Sequence, residues 1–207
     1  MDRRTMRTSQ LATTLLVGMH ASLAAVSLAQ PQSTSVQGPP VPVEDQGACP
    51  CEGCVYREWI AKETVSVRTE RRKDAPVAFT VRESEKVTAL TGVVISVKPG
   101  QVQFREGTTL STSSGPLRVE PGETLYLPTY QGEGFTKAWF KGQTYRDLDA
   151  TSFLNGVCEV QPSRCTGKVV ENSQTEWWVQ IRNGFGDIGW TDEHQKFAGK
   201  DALGAPQ

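Results

Sequence analysis

Glu176-Trp177-Trp178-Val179-Gln180-Ile181-Arg182-Asn183-Gly184-Phe185-Gly186-Asp187-Ile188-Gly189-Trp190 is the stretch on which the fold turns. Its first half alternates: Trp177, Val179 and Ile181 share one face, and Trp178, Gln180 and Arg182 the other, because strand side chains repeat every two residues. Asn183-Gly184-Phe185-Gly186 carries the residues that accept positive φ in tight turns. Asp187-Ile188-Gly189-Trp190 then starts a return strand. The reading is an antiparallel hairpin, and a hairpin alone is marginal in water, so this one needs partner strands from elsewhere in the chain.

Upstream, Thr64-Val65-Ser66-Val67-Arg68-Thr69 alternates with Val65 and Val67 inward. Val55 to Ile60 reads as a short strand, Glu70 to Ala75 as a charged loop, and Val77, Phe79 and Val81 as the core face of the next strand. Arg82-Glu83-Ser84-Glu85 is a polar turn into a β-rich run from Lys86 to Val97, where Gly92 suggests a bulge or bend. Gly107 to Gly115 reads as a Ser/Thr/Gly loop. Thr124 to Leu127, Phe135 to Lys141 and Thr144 to Leu148 read as strands, and Asp149 to Ser173 as irregular. Glu193 to Phe197 could form one helical turn. Nothing else has a helical period, so the chain is expected to be all-β.

The ends carry a different signal. Arg3, Arg4 and Arg7 precede an apolar run from Leu11 to Leu28 that ends in Ser27-Leu28-Ala29, the pattern of a signal peptide at 1–29 cleaved before Gln30. Residues 30–48, with Pro31, Pro39, Pro40 and Pro42, read as a Pro/Ser/Gln-rich linker. The folded domain is expected over 49–203. No later stretch is apolar enough to span a bilayer. The expected compartment is therefore periplasmic or secreted, with no membrane span after cleavage.

Cleavage after Ala29 removes three arginines and one aspartate from 22 basic and 23 acidic residues, leaving 19 and 22, a formal charge of −3. That balance argues against nucleic acid as a partner. All five cysteines follow the signal, and an oxidising compartment favours disulfides. Cys158 and Cys165 are the natural pair across Pro162-Ser163. In Cys49-Pro50-Cys51-Glu52-Gly53-Cys54 the favoured pair is Cys49 with Cys54, leaving Cys51 over. The alternative use of these thiols, a soft-metal site, falls short of the four Cys/His ligands of a closed zinc site, so no metal or other cofactor is expected.

In order, Val65-Ser66-Val67-Arg68, Val77 to Val81, Glu83-Ser84-Glu85-Lys86-Val87, Trp177 to Ile181 and Gly189-Trp190 resemble the strands of bacterial SH3 (SH3b) domains. The resemblance implies an SH3-like small barrel with a large β-rich insertion at about 98–174. The other reading is two SH3-like barrels in tandem. The chain departs from the family by lacking a glycine in the turn before Lys86 and by the length of the connection at 98–174. Relatives commonly bind peptidoglycan or its peptides, which implies a cell-wall peptide or glycan, or an envelope protein, as partner.

No catalytic residue is expected. His194 is the one histidine left after the signal, beside Glu193 with no nucleophile motif, and reads as a surface side chain. Asp147/Asp149 and Asp187/Asp192 are the carboxylate pairs a small wall hydrolase would need. What remains is aromatic: Tyr126, Tyr130, Trp139, Phe140, Tyr145, Trp178 and Trp190. Most of these belong to cores on the usual burial ranking. Trp178, flanked on its face by Gln180 and Arg182, is either an exposed anchor or covered by the insertion. The expected ligand-binding set is Trp178, Trp190, Tyr130, Tyr145 and Arg182, beside the loops 70–75 and 184–186. If Trp178 is covered, the rival role is a structural accessory protein docked on a partner chain through the insertion.

Overall fold

The computed structural model describes residues 38–202, apart from 155–157, 159, 162 and 164. The expected signal peptide 1–29 and the linker up to residue 37 lie outside the described residues. The chain is all-β with almost no helix. Its strands are β1 (Val43–Gln46), β2 (Glu58–Ala61), β3 (Val65–Arg68), β4 (Val77–Val81), β5 (Lys86–Lys98), β6 (Gly100–Phe104), β7 (Thr108–Leu110), β8 (Leu117–Val119), β9 (Thr124–Gly132), β10 (Phe135–Phe140), β11 (Gln143–Asp149), β12 (Gly167–Glu171), β13 (Gln174–Arg182), β14 (Ile188–Thr191) and β15 (Phe197–Ala198).

The first sheet has the order β15-β2-β5-β13-β14-β3-β4, with β1 also paired to β5, and it curls into a half-barrel. Its longest seam joins β5 to β13, from Gln174↔Lys98 to Arg182↔Thr88. Gln180 pairs with Thr91 and Ile181 with Ala89, so Leu90 is the extra residue of a bulge. The extra residue switches the parity of β5. Val87 and Ala89 face the core before it, Val94 after it, opposite Trp177 and beside Val179 and Ile181. The expected irregularity is therefore real but sits at Leu90. Gly92 serves another purpose: a Cβ there would lie 2.5 Å from Trp177 Nε1 and in hard contact with Tyr56 Oη. Tyr56 Oη accepts from Trp177 Nε1 at 3.2 Å and donates to Ala48 O, and burial raises its pKa to about 12. Trp59, fully buried, packs within about 6 Å of Tyr56, Trp177 and Phe197 and centres this core.

The segment between the halves forms a second sheet, order β11-β10-β9-β6-β12, over a separate core that includes Val102, Phe104, Leu125, Leu127, Ala138, Phe140 and Leu148. Two expectations inside it are corrected. The 107–115 loop contains β7, which pairs with β8 in a short hairpin whose Leu110, Leu117 and Val119 are buried against this core. The 149–173 stretch contains β12, whose Gly167 pairs with Phe104, where a Cβ would meet Val102 Cγ1 at 2.7 Å.

The range expected as linker, 30–48, contains a strand among its described residues. Val43–Gln46 is a strand, drawn into order by backbone pairing with β5 and by a buried ion pair between Asp45 and Lys137 of β10. Nearby, Glu133 N donates to Glu52 Oε2 at 2.7 Å and Gly53 N to Glu133 Oε1 at 3.2 Å. These polar contacts tie the half-barrel to the second sheet. Disulfides close Cys49–Cys54 and Cys158–Cys165, with Cα atoms 5.6 and 5.7 Å apart, and Cys51 is a free, half-buried thiol whose pKa burial raises.

In the turn before Lys86, Ser84 takes the positive φ of 69° that the missing glycine would have supplied. At the other end, Gly189 is indispensable for space: a Cβ would stand 2.7 Å from Arg68 O, a backbone atom of the neighbouring strand.

Two stability measurements test these ties. Gly189→Ala should lower urea-unfolding stability by about 1–3 kcal/mol through overpacking, whereas Gly184→Ala, with nothing within 4 Å of the new methyl, should leave it nearly unchanged. Lys137→Met should lower it by about 3–5 kcal/mol, because Asp45 is left buried and unpaired, and adding Asp45→Leu should recover most of the loss.

Candidate functional site

One face of the half-barrel is the inner core face. The opposite face carries Val93 and Ile95 of β5, Glu176, Trp178 and Gln180 of β13, and Ile188 and Trp190 of β14, as the direct partners Trp178↔Val93, Gln180↔Trp190 and Arg182↔Ile188 require. The charged loop after β3 is fastened across this face. Lys73 Nζ lies 3.5 Å from Glu176 and 3.9 Å from Asp192, and Arg71 Nη1 lies 3.1 Å from Glu44 of β1. The Arg71 guanidinium also sits over the Trp190 ring, 5.4 Å from its centroid.

Trp178 is covered: it is 1% exposed, and its Nε1 donates to Glu176 Oε2 at 3.4 Å. Of the two expectations for it, an exposed anchor and a covered residue, burial removes the first. Trp190 stays half-buried and forms the floor of a groove of about 500 Å³ with Ile95, walled by Glu44, Thr69, Glu70, Arg71 and Arg72. The walls carry both signs of charge, and Arg72 pairs with Glu70 and Asp74 at the exposed rim. Such a groove can take an extended ligand that offers an apolar group to Trp190 and charges of either sign to its walls.

The other expected site residues do not join it. Tyr130 and Tyr145 belong to the second sheet, where Tyr130 Oη accepts from Gly134 N at 3.0 Å and Tyr145 Oη donates to Gln143 Oε1 at 2.9 Å. Arg182 is exposed at the end of β13, beside the hairpin tip. Sequence reasoning missed Glu44, because its segment read as linker, and Ile95, because a bulge hides the parity of β5. Phe185 was also missed as a side chain: it is 95% exposed at the hairpin tip, and Ile188, on the face of Trp190, is 51% exposed. A phenylalanine between two glycines in a turn was the signal available.

In each expected carboxylate pair one member is engaged within its own turn. Asp149 Oδ1 accepts from Thr151 N and Oγ1 at 2.9 and 2.6 Å, which holds its pKa below the usual range. Asp187 Oδ2 accepts from Asn183 Nδ2 at 2.9 Å within the hairpin turn. His194 is a correction. Instead of standing on the surface it lies over Trp177, ring centroids 4.5 Å apart, with Nδ1 buried and without a hydrogen-bond partner. The pairing of β15 with β2 draws the 3-10 turn His194–Lys196 onto the core. Burial, aided by the charge of Lys200, pushes the His194 pKa down to about 4.

The unfolded chain therefore binds a proton at this histidine between pH 6.5 and about 4 that the folded chain does not. The contribution to stability is complete above the unfolded value and is lost as pH falls through that window. Urea midpoints taken at about pH 7 and about pH 5 should converge in His194→Phe relative to the native chain. An unchanged gap would place the pH dependence elsewhere. No protein-family model, curated protein or solved structure matches this chain.

Proposed function

We propose that this chain is an exported, non-enzymatic binding module of the SH3b type, periplasmic or secreted, with residues of about 98–174 as a β-rich insertion. It recognises cell-wall peptide or glycan through the Trp190 groove. The observation that carries the reading is the half-buried Trp190 that lines a groove with Ile95, with Arg71 over its ring and the Arg71–Glu44 pair on the wall. An amphipathic ring at the floor and fixed charges on the walls suit a wall peptide, whose short side chains alternate with carboxylates and amines. The order of the SH3b-like motifs supports the reading. So does the pairing of their two halves in one curled sheet, and so do two disulfides compatible with an extracellular setting.

A second reading, an accessory protein docked on an envelope partner, draws on Phe185 and Ile188, which leave an apolar edge beside the groove. Sedimentation with purified peptidoglycan separates the two. Trp190→Ala should cut retention by about tenfold or more, as truncation of an interface aromatic does, and Phe185→Ser should leave it unchanged. Retention indifferent to Trp190 would overturn the wall-binding role, and soluble wall fragments would overturn the non-enzymatic one.

A further inference from the structure

The second sheet carries an aromatic row on the face away from its core. Tyr126 of β9 pairs with Trp139 of β10, and Trp139 with Thr144 of β11. Direct partners share a face, so these three lie opposite Leu125, Ala138 and Phe140, which are buried in the core. The Tyr126 and Trp139 rings meet edge to face, 5.6 Å between centroids. Lys137, which reaches Asp45 of β1, brings the residues before β1 onto this side of the sheet.

Those residues are a proline run, Gly38-Pro39-Pro40-Val41-Pro42. Gly38 lies against the tyrosine: a Cβ there would be 3.1 Å from Tyr126 Cε1. Pro39, Pro40 and Pro42 enclose, with Pro128, Trp139 and Thr144, a space of about 390 Å³. Prolines that face a tryptophan across such a space, with a second aromatic set edgewise to it, bring together the groups by which aromatic grooves read proline-rich chains.

We propose that the Tyr126–Trp139–Thr144 row is a recognition site for proline-rich peptide segments, distinct from the Trp190 groove, and that residues 38–42 of this chain occupy it in cis. The strap is tethered by β1, so its effective concentration at the row is high and an outside segment must compete with it. Space remains beside Trp139 while the strap is in place. A longer or better-matched proline-rich segment of a partner protein can therefore fill what the strap does not.

The test uses the full chain after signal cleavage and a synthetic peptide with the sequence of residues 38–43, read by NMR at the backbone amides of β9, β10 and β11. Pro39→Ser combined with Pro40→Ser weakens the strap without touching a core residue. This variant should bind the peptide saturably, with an affinity about tenfold or more above that of the native chain. In the same background Trp139→Ala and, independently, Thr144→Lys at an exposed position of the row should each abolish the binding. No saturable shift in the strap variant would overturn the site, as would binding that survives Thr144→Lys in a folded protein. Equal affinity in the native and strap variants would overturn occupancy in cis.

Discussion

The pairing of β5 with β13 is the constraint on which the molecule depends. It brings Trp177, Val179 and Ile181 beside Val87, Ala89 and Val94, and so joins the two distant halves of the chain in one core with Trp59, Val65, Val67 and Phe197. The pairing joins residues far apart in the chain, so its closure entropy must be met before its contacts form. The bulge at Leu90 is what lets one strand serve two environments. A continuous alternation over the thirteen residues of β5 would have turned either Ala89 or Val94 away from the core.

Everything between the two paired strands had to find burial of its own. Residues 100–153 supply most of a second core, and β12 returns the chain to the start of β13. The join between the sheets is polar: one buried ion pair and a reciprocal pair of backbone-to-carboxylate hydrogen bonds. Buried charge pairs contribute little net stability, but they penalise any other seating of the two surfaces, which specifies one arrangement. The same join fixes β1, and so carries the proline run to Tyr126 and Trp139.

Strands with one dry face were legible. Val65-Ser66-Val67-Arg68 and Trp177 to Ile181 fold as their alternation says, because a period of two matches the pleat and the turn residues at Asn183-Gly184 punctuate it. Strands that depend on distant partners were not. Val43–Gln46 and Gly167–Glu171 have too little apolar sequence to announce themselves and are ordered by the strand beside them. The candidate site was legible in part. Trp190 and the loop after β3 were expected and are found together, whereas Trp178 shares their face and is buried. Two neighbouring aromatics on one face read alike until the segments that pack over that face are placed.

Composition and strand alternation were enough for the all-β class, since that class follows from local periodicity; cysteine spacing favoured Cys49–Cys54 and Cys158–Cys165, and the folded chain brings both pairs into bonding distance. Which tryptophan stays half-exposed, that His194 lies over Trp177 and where the proline run is carried are decided by contacts between segments distant in the chain. No local pattern encodes those distances, and so the exposed surface, and any recognition it performs, belongs to the folded molecule.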